Sequence, residues 1–205
     1  RVLEVGEHHV TGEFLLSRDA PGQQWPADAG LRITYEVGPR ALIITSEVFA
    51  GDDRDLPFGL GFHPYFRVPG PFDRWRLQCD ASATWPLAQM VPTGDVIAVP
   101  ARLDFRNPRH LRDDHLDDVL TGLPATDAMA PRAALMCEQS ALTVSSDPTF
   151  REYVVFTPAS RDAVAIEPYT CTTDAVHLSA RSVDGGWRVL PARQTTLATW
   201  RVDIS

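Results

Sequence analysis

The chain has 205 residues, of which 44% are hydrophobic and 22% are charged, so disordered and collagen-like classes are excluded and a sizeable core is possible. Its formal net charge is −8, and arginine is its only strongly basic residue, because the sequence contains no lysine. The negative net charge argues against a nucleic acid partner, which needs clustered positive charge. The absence of lysine excludes Schiff-base and P-loop lysine chemistry.

Cysteine usage and hydropathy indicate the compartment. The three cysteines, Cys79, Cys137 and Cys171, form no C-x-x-C pair and no even set, which argues against a disulfide framework or a zinc finger. A reducing cytoplasm is the expected location. The sequence shows no charged-then-apolar leader and no apolar run near ~18 residues, so we expect no membrane partner. Its length favours one domain over residues 1–205.

The N-terminal third contains the first predicted strands. Residues 12–17 are predicted as a strand, and residues 31–37 alternate strictly, with apolar side chains at the odd positions and polar ones between them. Gly38 and Pro39 then give a turn signal before the apolar run 41–45. Residues 31–37 and 41–45 are therefore predicted to pair as an antiparallel hairpin.

Residues 59–66 read Gly-Leu-Gly-Phe-His-Pro-Tyr-Phe and place one histidine, His63, among glycines, a proline and aromatic rings. The predicted neighbours of its ring are Phe62, Tyr65 and Phe66. In such a partly dry pocket the imidazole could serve as a general acid or base. The alternative is a core histidine packed among aromatics in a strand, and residue types alone leave both interpretations open.

The remaining strands follow the same rule of alternation. Residues 74–79 alternate with Trp75, Leu77 and Cys79 on one side, and the loop-rich stretch 85–100 could wall a cleft. The 17 prolines and 13 glycines interrupt the chain too often for long helices, and no segment shows helical periodicity over three turns. The pattern indicates a mainly antiparallel β-sandwich with few or no helices. Further strands are predicted at residues 133–137, 142–144, 153–156, 163–166 and 200–204.

Two acidic features are candidate sites. Glu167 follows the apolar strand 163–166, where a carboxylate is costly to desolvate unless it is paired or hydrated, so its pKa is expected to be raised. By residue type alone, a rim glutamate bonded to the backbone is favoured. The acidic run 113–118 lacks the glycine and the closing glutamate of a calcium loop, so a solvated loop is favoured there. We predict no metal and no cofactor.

Three motifs occur in the order found in one family. The histidine motif 59–66, the segment 116–120 (Leu-Asp-Asp-Val-Leu) and the segment 165–175 (Ala-Ile-Glu-Pro-Tyr-Thr-Cys-Thr-Thr-Asp-Ala) resemble the aldose 1-epimerase (galactose mutarotase-like) family, and residues 92–94 (Pro-Thr-Gly) resemble a loop of its bacterial members. The resemblance runs from about residue 1 to the C-terminus. It implies an antiparallel β-sandwich of the galactose mutarotase-like type, the supersandwich.

The resemblance also implies an extension of the chain. Family members carry an N-terminal portion with an arginine and a His-Gly motif that contact the sugar. This sequence has no His-Gly pair and no counterpart of that arginine. Residues 1–5 resemble the strand that follows the His-Gly motif. We therefore expect the natural polypeptide to extend upstream and to supply part of the sugar pocket.

The activity implied by the resemblance is that of an aldose 1-epimerase, or mutarotase, which interconverts the α and β anomers of a free aldose without a cofactor. Opening the cyclic hemiacetal needs a base for the C1 hydroxyl proton and an acid for the ring oxygen. The resemblance assigns these roles to Glu167 and His63, and it makes Asp117 and Tyr65 substrate-binding residues. In an extended segment Asp117 and Asp118 point to opposite sides, so only Asp117 is expected to face the sugar.

Two alternatives stay open. A hexose-phosphate epimerase would need arginines that converge on phosphate, and Arg67 and Arg74 lie near the histidine motif in sequence. A non-catalytic carbohydrate-binding sandwich would need neither a proton donor nor a base. Trp85 could stack on a sugar ring, although core packing is favoured because large aromatics are mostly buried. The expected partner is a small-molecule sugar, bound by a monomer or a homodimer.

Overall fold

The computed structural model describes residues 1–22, 25–112 and 114–205. Within these ranges the chain forms mostly short β-strands, with two short α-helices and two 3-10 turns at Phe72–Arg74 and Ala101–Leu103. In chain order the strands and helices are β1 Val2–Val5, β2 His9–Leu15, α1 Leu16–Asp19, β3 Ala29–Gly38, β4 Ala41–Ala50, β5 Leu56–Phe58, β6 Tyr65–Phe66, β7 Arg76–Cys79, β8 Ala83–Trp85, β9 Leu87–Ala88, β10 Val91–Pro92, β11 Ile97–Ala98, β12 Arg109–His110, β13 Asp117–Thr121, β14 Ala130–Cys137, β15 Ser140–Ser146, β16 Glu152–Phe156, β17 Val164–Tyr169, α2 Ala175–Ala180, β18 Arg188–Leu190 and β19 Thr195–Ile204.

Two antiparallel sheets pack face to face and bury the main core between them. The larger sheet has the strand order β1-β2-β3-β4-β19-β15-β14-β7-β12, and the smaller has the order β11-β8-β13-β16-β17-β6. Leu120, Tyr153 and Ile166 of the smaller sheet pack in one cluster with Leu77 and Leu135 of the larger sheet, and all five have no exposed surface. The predicted antiparallel β-sandwich with few helices is confirmed.

The first strands confirm the predicted hairpin and shift one boundary. β3 and β4 pair from Ala29↔Ala50 to Gly38↔Ala41, so the turn lies at Pro39 as the sequence indicates. The strand predicted at 12–17 instead begins at His9 and ends at Leu15. The Leu15 amide donates to the Asp19 carboxylate at 2.8 Å, and the chain turns into α1 at that point.

Both helices are too short to give a detectable periodic pattern in the sequence. α1 has four residues and α2 has six, which is less than two turns. α2 packs Leu178 against Trp85 and Val119 on the outer face of the smaller sheet. In the described ranges no helix has the length and apolar character needed to cross a membrane.

Candidate active site

Strand register brings His63 opposite Glu167. β6 pairs with β17 at Tyr65↔Ala165, and Gly61 forms an antiparallel bridge with Tyr169. These two pairs bracket His63 and Glu167, which therefore lie opposite each other although 104 positions separate them in sequence (167 − 63). His63 Nε2 lies 3.2 Å from Glu167 Oε1. The two side chains are in direct contact.

The neighbouring strands complete one wall of a cleft. Val154 pairs with Glu167, and Asp117 pairs with Phe156, which in turn pairs with Ala165. Paired residues of a sheet share a face, so these side chains lie on the outer face of the smaller sheet, away from the core. The cleft at this face has a volume of about 290 Å³. Its lining residues are His63, Tyr65, Leu87, Met90, Asp117, Val119, Val154, Phe156, Glu167, Tyr169 and Thr173.

Glu167 is a buried carboxyl with two partners. Its side chain is 2% exposed, whereas that of His63 is 51% exposed. The Tyr169 hydroxyl donates a hydrogen bond to Glu167 Oε2 at 3.0 Å. Burial raises the pKa of Glu167 above its ordinary value, and the charge of Asp117 acts in the same direction, while the Tyr169 hydrogen bond and His63 oppose the shift. The raised pKa agrees with the expectation from sequence.

Tyr169 was not assigned a role from the sequence. Burial and the neighbouring charge of Glu167 raise the pKa of its hydroxyl to about 12, so Tyr169 keeps its proton and acts as a donor at neutral pH. A Cβ atom at Gly61 would lie 2.8 Å from its ring, so only glycine lets the ring lie across that position. The two-residue spacing from Glu167 along a strand was the available signal, because such residues share a face.

The surroundings of His63 differ in part from the prediction. Its ring stacks on Tyr65 with centroids 4.9 Å apart, and Phe156 lies edge-on at 6.4 Å. Phe62 points the other way and contacts the core residue Trp200 with centroids 5.3 Å apart, and Phe66 also packs against the core. The predicted contacts with Phe62 and Phe66 were wrong, because alternation sends even-numbered side chains of this extended segment to the opposite face.

Asp117 and Asp118 separate as an extended segment requires. Both lie in β13, and Asp117 is exposed at the rim of the cleft that holds His63. Asp118 is held by Arg102 through two hydrogen bonds of 3.0 and 2.6 Å. Asp113, also part of the acidic run, lies outside the described residues. In the rest of the described chain no three His, Cys, Asp or Glu side chains are grouped as a metal site.

The other candidates from sequence lie away from the reacting pair. Trp85 is 3% exposed and donates its indole N–H to Glu152 at 3.2 Å, so core packing is confirmed for it. Arg74 pairs with Glu138 at 2.9 Å. Neither Arg67 nor Arg74 lines the cleft, nor does any other arginine of the described ranges.

Solved structures with the same fold come from bacteria and an animal. A galactose mutarotase-like protein of Clostridium acetobutylicum superposes with a TM-score of 0.85 at 16% identity, covering 100% of this chain and 65% of that chain. An aldose epimerase homologue of C. elegans gives 0.80 at 17% identity, with 100% and 68% covered. The galactose 1-epimerase of Lactobacillus acidophilus gives 0.75 at 17% identity, with 100% and 65% covered. This chain thus spans about two thirds of their length.

The sequence profile of the family described as Aldose 1-epimerase matches residues 2–199. That match covers nearly the whole chain, including the histidine motif, the aspartate segment and the strand that carries Glu167. The chain belongs to the aldose 1-epimerase family.

Proposed function

We propose that the chain is an isomerase of the aldose 1-epimerase type, which interconverts the α and β anomers of a free aldose. The observation that supports this most directly is the contact of His63 Nε2 with Glu167 Oε1, at 3.2 Å, in the wall of an open cleft. The cleft volume of about 290 Å³ lies at the small end of the range of ligand sites and suits a single sugar ring. Family membership supports this chemistry at this cleft.

The proposed reaction uses one base and one acid. The Glu167 carboxylate accepts the proton of the C1 hydroxyl while the His63 imidazolium donates a proton to the ring oxygen O5. The C1–O5 bond breaks, a carbonyl forms at C1, and the open-chain aldehyde rotates about C1–C2. On closure, the O5 hydroxyl attacks C1 and returns its proton to His63, and Glu167 returns its proton to O1. Both side chains finish in their starting states.

The direct contact between the two side chains suits this reaction. O1 and O5 are bonded to the same carbon, so two groups at hydrogen-bond distance can reach both oxygens from one edge of the sugar. The acid and base thus lie side by side at that edge. Asp117 at the rim would accept hydrogen bonds from ring hydroxyls, and Tyr65 would contact the ring beside His63.

The reactive protonation state is the ion pair itself. Glu167 must be ionised and His63 protonated, and the charge of His63, 3.2 Å away, favours the ionised form of Glu167. Because burial raises the pKa of Glu167, the base holds its proton more tightly than an exposed glutamate does. A base with a raised pKa is the better proton acceptor near neutral pH.

Anomer exchange followed by NMR tests the proposal. The rate of anomer exchange of glucose, galactose and glucose 6-phosphate is measured with and without protein. The spontaneous rate in buffer is then subtracted. The charged lining residues are Asp117, Glu167 and His63, so we expect acceleration for the neutral sugars and not for the phosphate ester. Acceleration confined to the phosphate ester would favour the hexose-phosphate epimerase, and binding without acceleration would favour the non-catalytic binding module.

A further inference from the structure

A second cleft adjoins the reaction cleft and shares part of its wall. It has a volume of about 480 Å³ and lies over β8 and the start of β13. Leu87, Met90 and Asp117 line both clefts, so these three side chains form the partition between them. The space that these side chains leave between the two clefts therefore decides whether a substrate can extend beyond the reacting ring.

Of the three partition residues, Met90 is the one that projects freely. Leu87 packs against the cluster of Trp85, Val119 and Leu178, and the backbone of Asp117 is held in β13. Met90 is 57% exposed, yet it lines both clefts. Its unbranched side chain stands at the tip of the β9–β10 hairpin and has no comparable packing to hold it.

The hairpin turn fixes the backbone at Met90 at a conformational cost. Ala88 pairs with Val91, so the turn consists of Gln89 and Met90 alone, with φ values of 51° and 66°. A two-residue turn with both φ values positive strongly prefers glycine at its second position. Methionine occupies that position instead, and its carbonyl accepts a hydrogen bond of 3.4 Å from Thr173. A bulky side chain is thus kept at the partition although glycine suits the turn better.

The adjoining cleft has the chemistry of a neutral sugar subsite. Ile97, Pro86 and Pro100 offer apolar surface for the C–H face of a ring. Arg102 and Asp118 hold each other through two hydrogen bonds, so their remaining donor and acceptor positions are fixed in space. One arginine and two aspartates are the charged residues of this lining, a balance that disfavours an anionic substituent.

We propose that Met90 is a specificity-determining residue, whose side chain limits the substrate to one ring. A shorter residue at this position opens the reaction cleft into the adjoining cleft, which then takes a neutral glycosyl substituent on the reacting aldose. This inference rests on the proposed function for the site, because the reacting ring occupies the cleft of His63 and Glu167.

The test compares glucose with two neutral reducing disaccharides, maltose, substituted at O4, and melibiose, substituted at O6. For each protein the ratio of kcat/KM for disaccharide to kcat/KM for glucose is measured by anomer exchange. We expect Met90→Gly to raise this ratio at least about tenfold for one of the two disaccharides, the discrimination that a change of pocket size gives. Glycine suits the positive φ, so the variant is expected to fold.

Two control variants separate side-chain size from turn flexibility. Met90→Leu keeps the bulk at the partition and should keep the wild-type ratio, whereas Met90→Ala removes the bulk without the backbone freedom of glycine and should raise the ratio as Met90→Gly does. An unchanged ratio in Met90→Gly, or a rise in Met90→Gly that Met90→Ala does not share, overturns the inference. If no protein accelerates any sugar, the proposed function fails, and the ratio of affinities from titration calorimetry with glucose and each disaccharide then tests the partition by itself.

Discussion

The hydrogen bond from Tyr169 to Glu167 is expected to set the pH at which activity is lost in acid. Tyr169→Phe removes the 3.0 Å donor to Oε2 while keeping the ring that lies over Gly61. That donor favours the ionised carboxyl, so its loss raises the pKa of Glu167 further. A hydrogen bond to a charged group is worth about 1.5–3 kcal/mol, and the lower figure is about a tenfold change in proton affinity.

The assay is kcat/KM for anomer exchange as a function of pH. Activity falls in acid as Glu167 takes up a proton, and in Tyr169→Phe this fall should begin about one pH unit higher than in the wild type. Tyr65→Phe is the matched control, because its hydroxyl belongs to the same cleft and makes no hydrogen bond to Glu167 in the described structure. An acid limb at the same pH in Tyr169→Phe and wild type would refute the reasoning.

Two further predictions concern the carboxylates. Asp117→Asn should raise KM for the sugar and Asp118→Asn should not, since only Asp117 borders the cleft of His63; steady-state kinetics with equal effects, or the reverse order, would reject the assignment. Glu167→Gln should have a higher melting temperature than the wild type at neutral pH. Because the pKa of Glu167 is raised in the folded protein, wild-type stability falls as pH rises from the ordinary value of 4.5 through that raised pKa. The advantage of Gln should therefore vanish below pH 4.5 in scanning calorimetry, and a constant difference across pH would contradict this origin.

Strand alternation predicted much of the architecture. Trp75, Leu77 and Cys79 alternate in the sequence and are all buried on the side that meets the core. The hairpin at Gly38-Pro39 follows from turn chemistry alone. Short elements were beyond this reasoning, because a helix of six residues or a strand of two gives no measurable period.

The site was harder to predict because register is a tertiary property. Residue types marked His63 and Glu167 as candidates, but the pairs Tyr65↔Ala165 and Gly61↔Tyr169 that bring them together join segments about 100 residues apart. The error in the predicted neighbours of His63 has a local cause. Phe62 is adjacent to His63 in sequence, and adjacency in an extended chain places two side chains on opposite faces. The two-residue spacing from Glu167 along a strand was the signal available for Tyr169, whereas the role proposed for Met90 depends on distant segments and had no signal in the sequence.

The rate of anomer exchange in variants of the catalytic pair tests the central claim most directly. Glu167→Gln keeps the shape of the side chain and removes the base, and His63→Asn removes the acid. Each should lower kcat about 10²- to 10⁴-fold with little change in KM, and the double variant should lose less free energy than the two single losses combined, because the two groups act as a unit. A well-folded Glu167→Gln protein that interconverts anomers at the wild-type rate would contradict the mechanism.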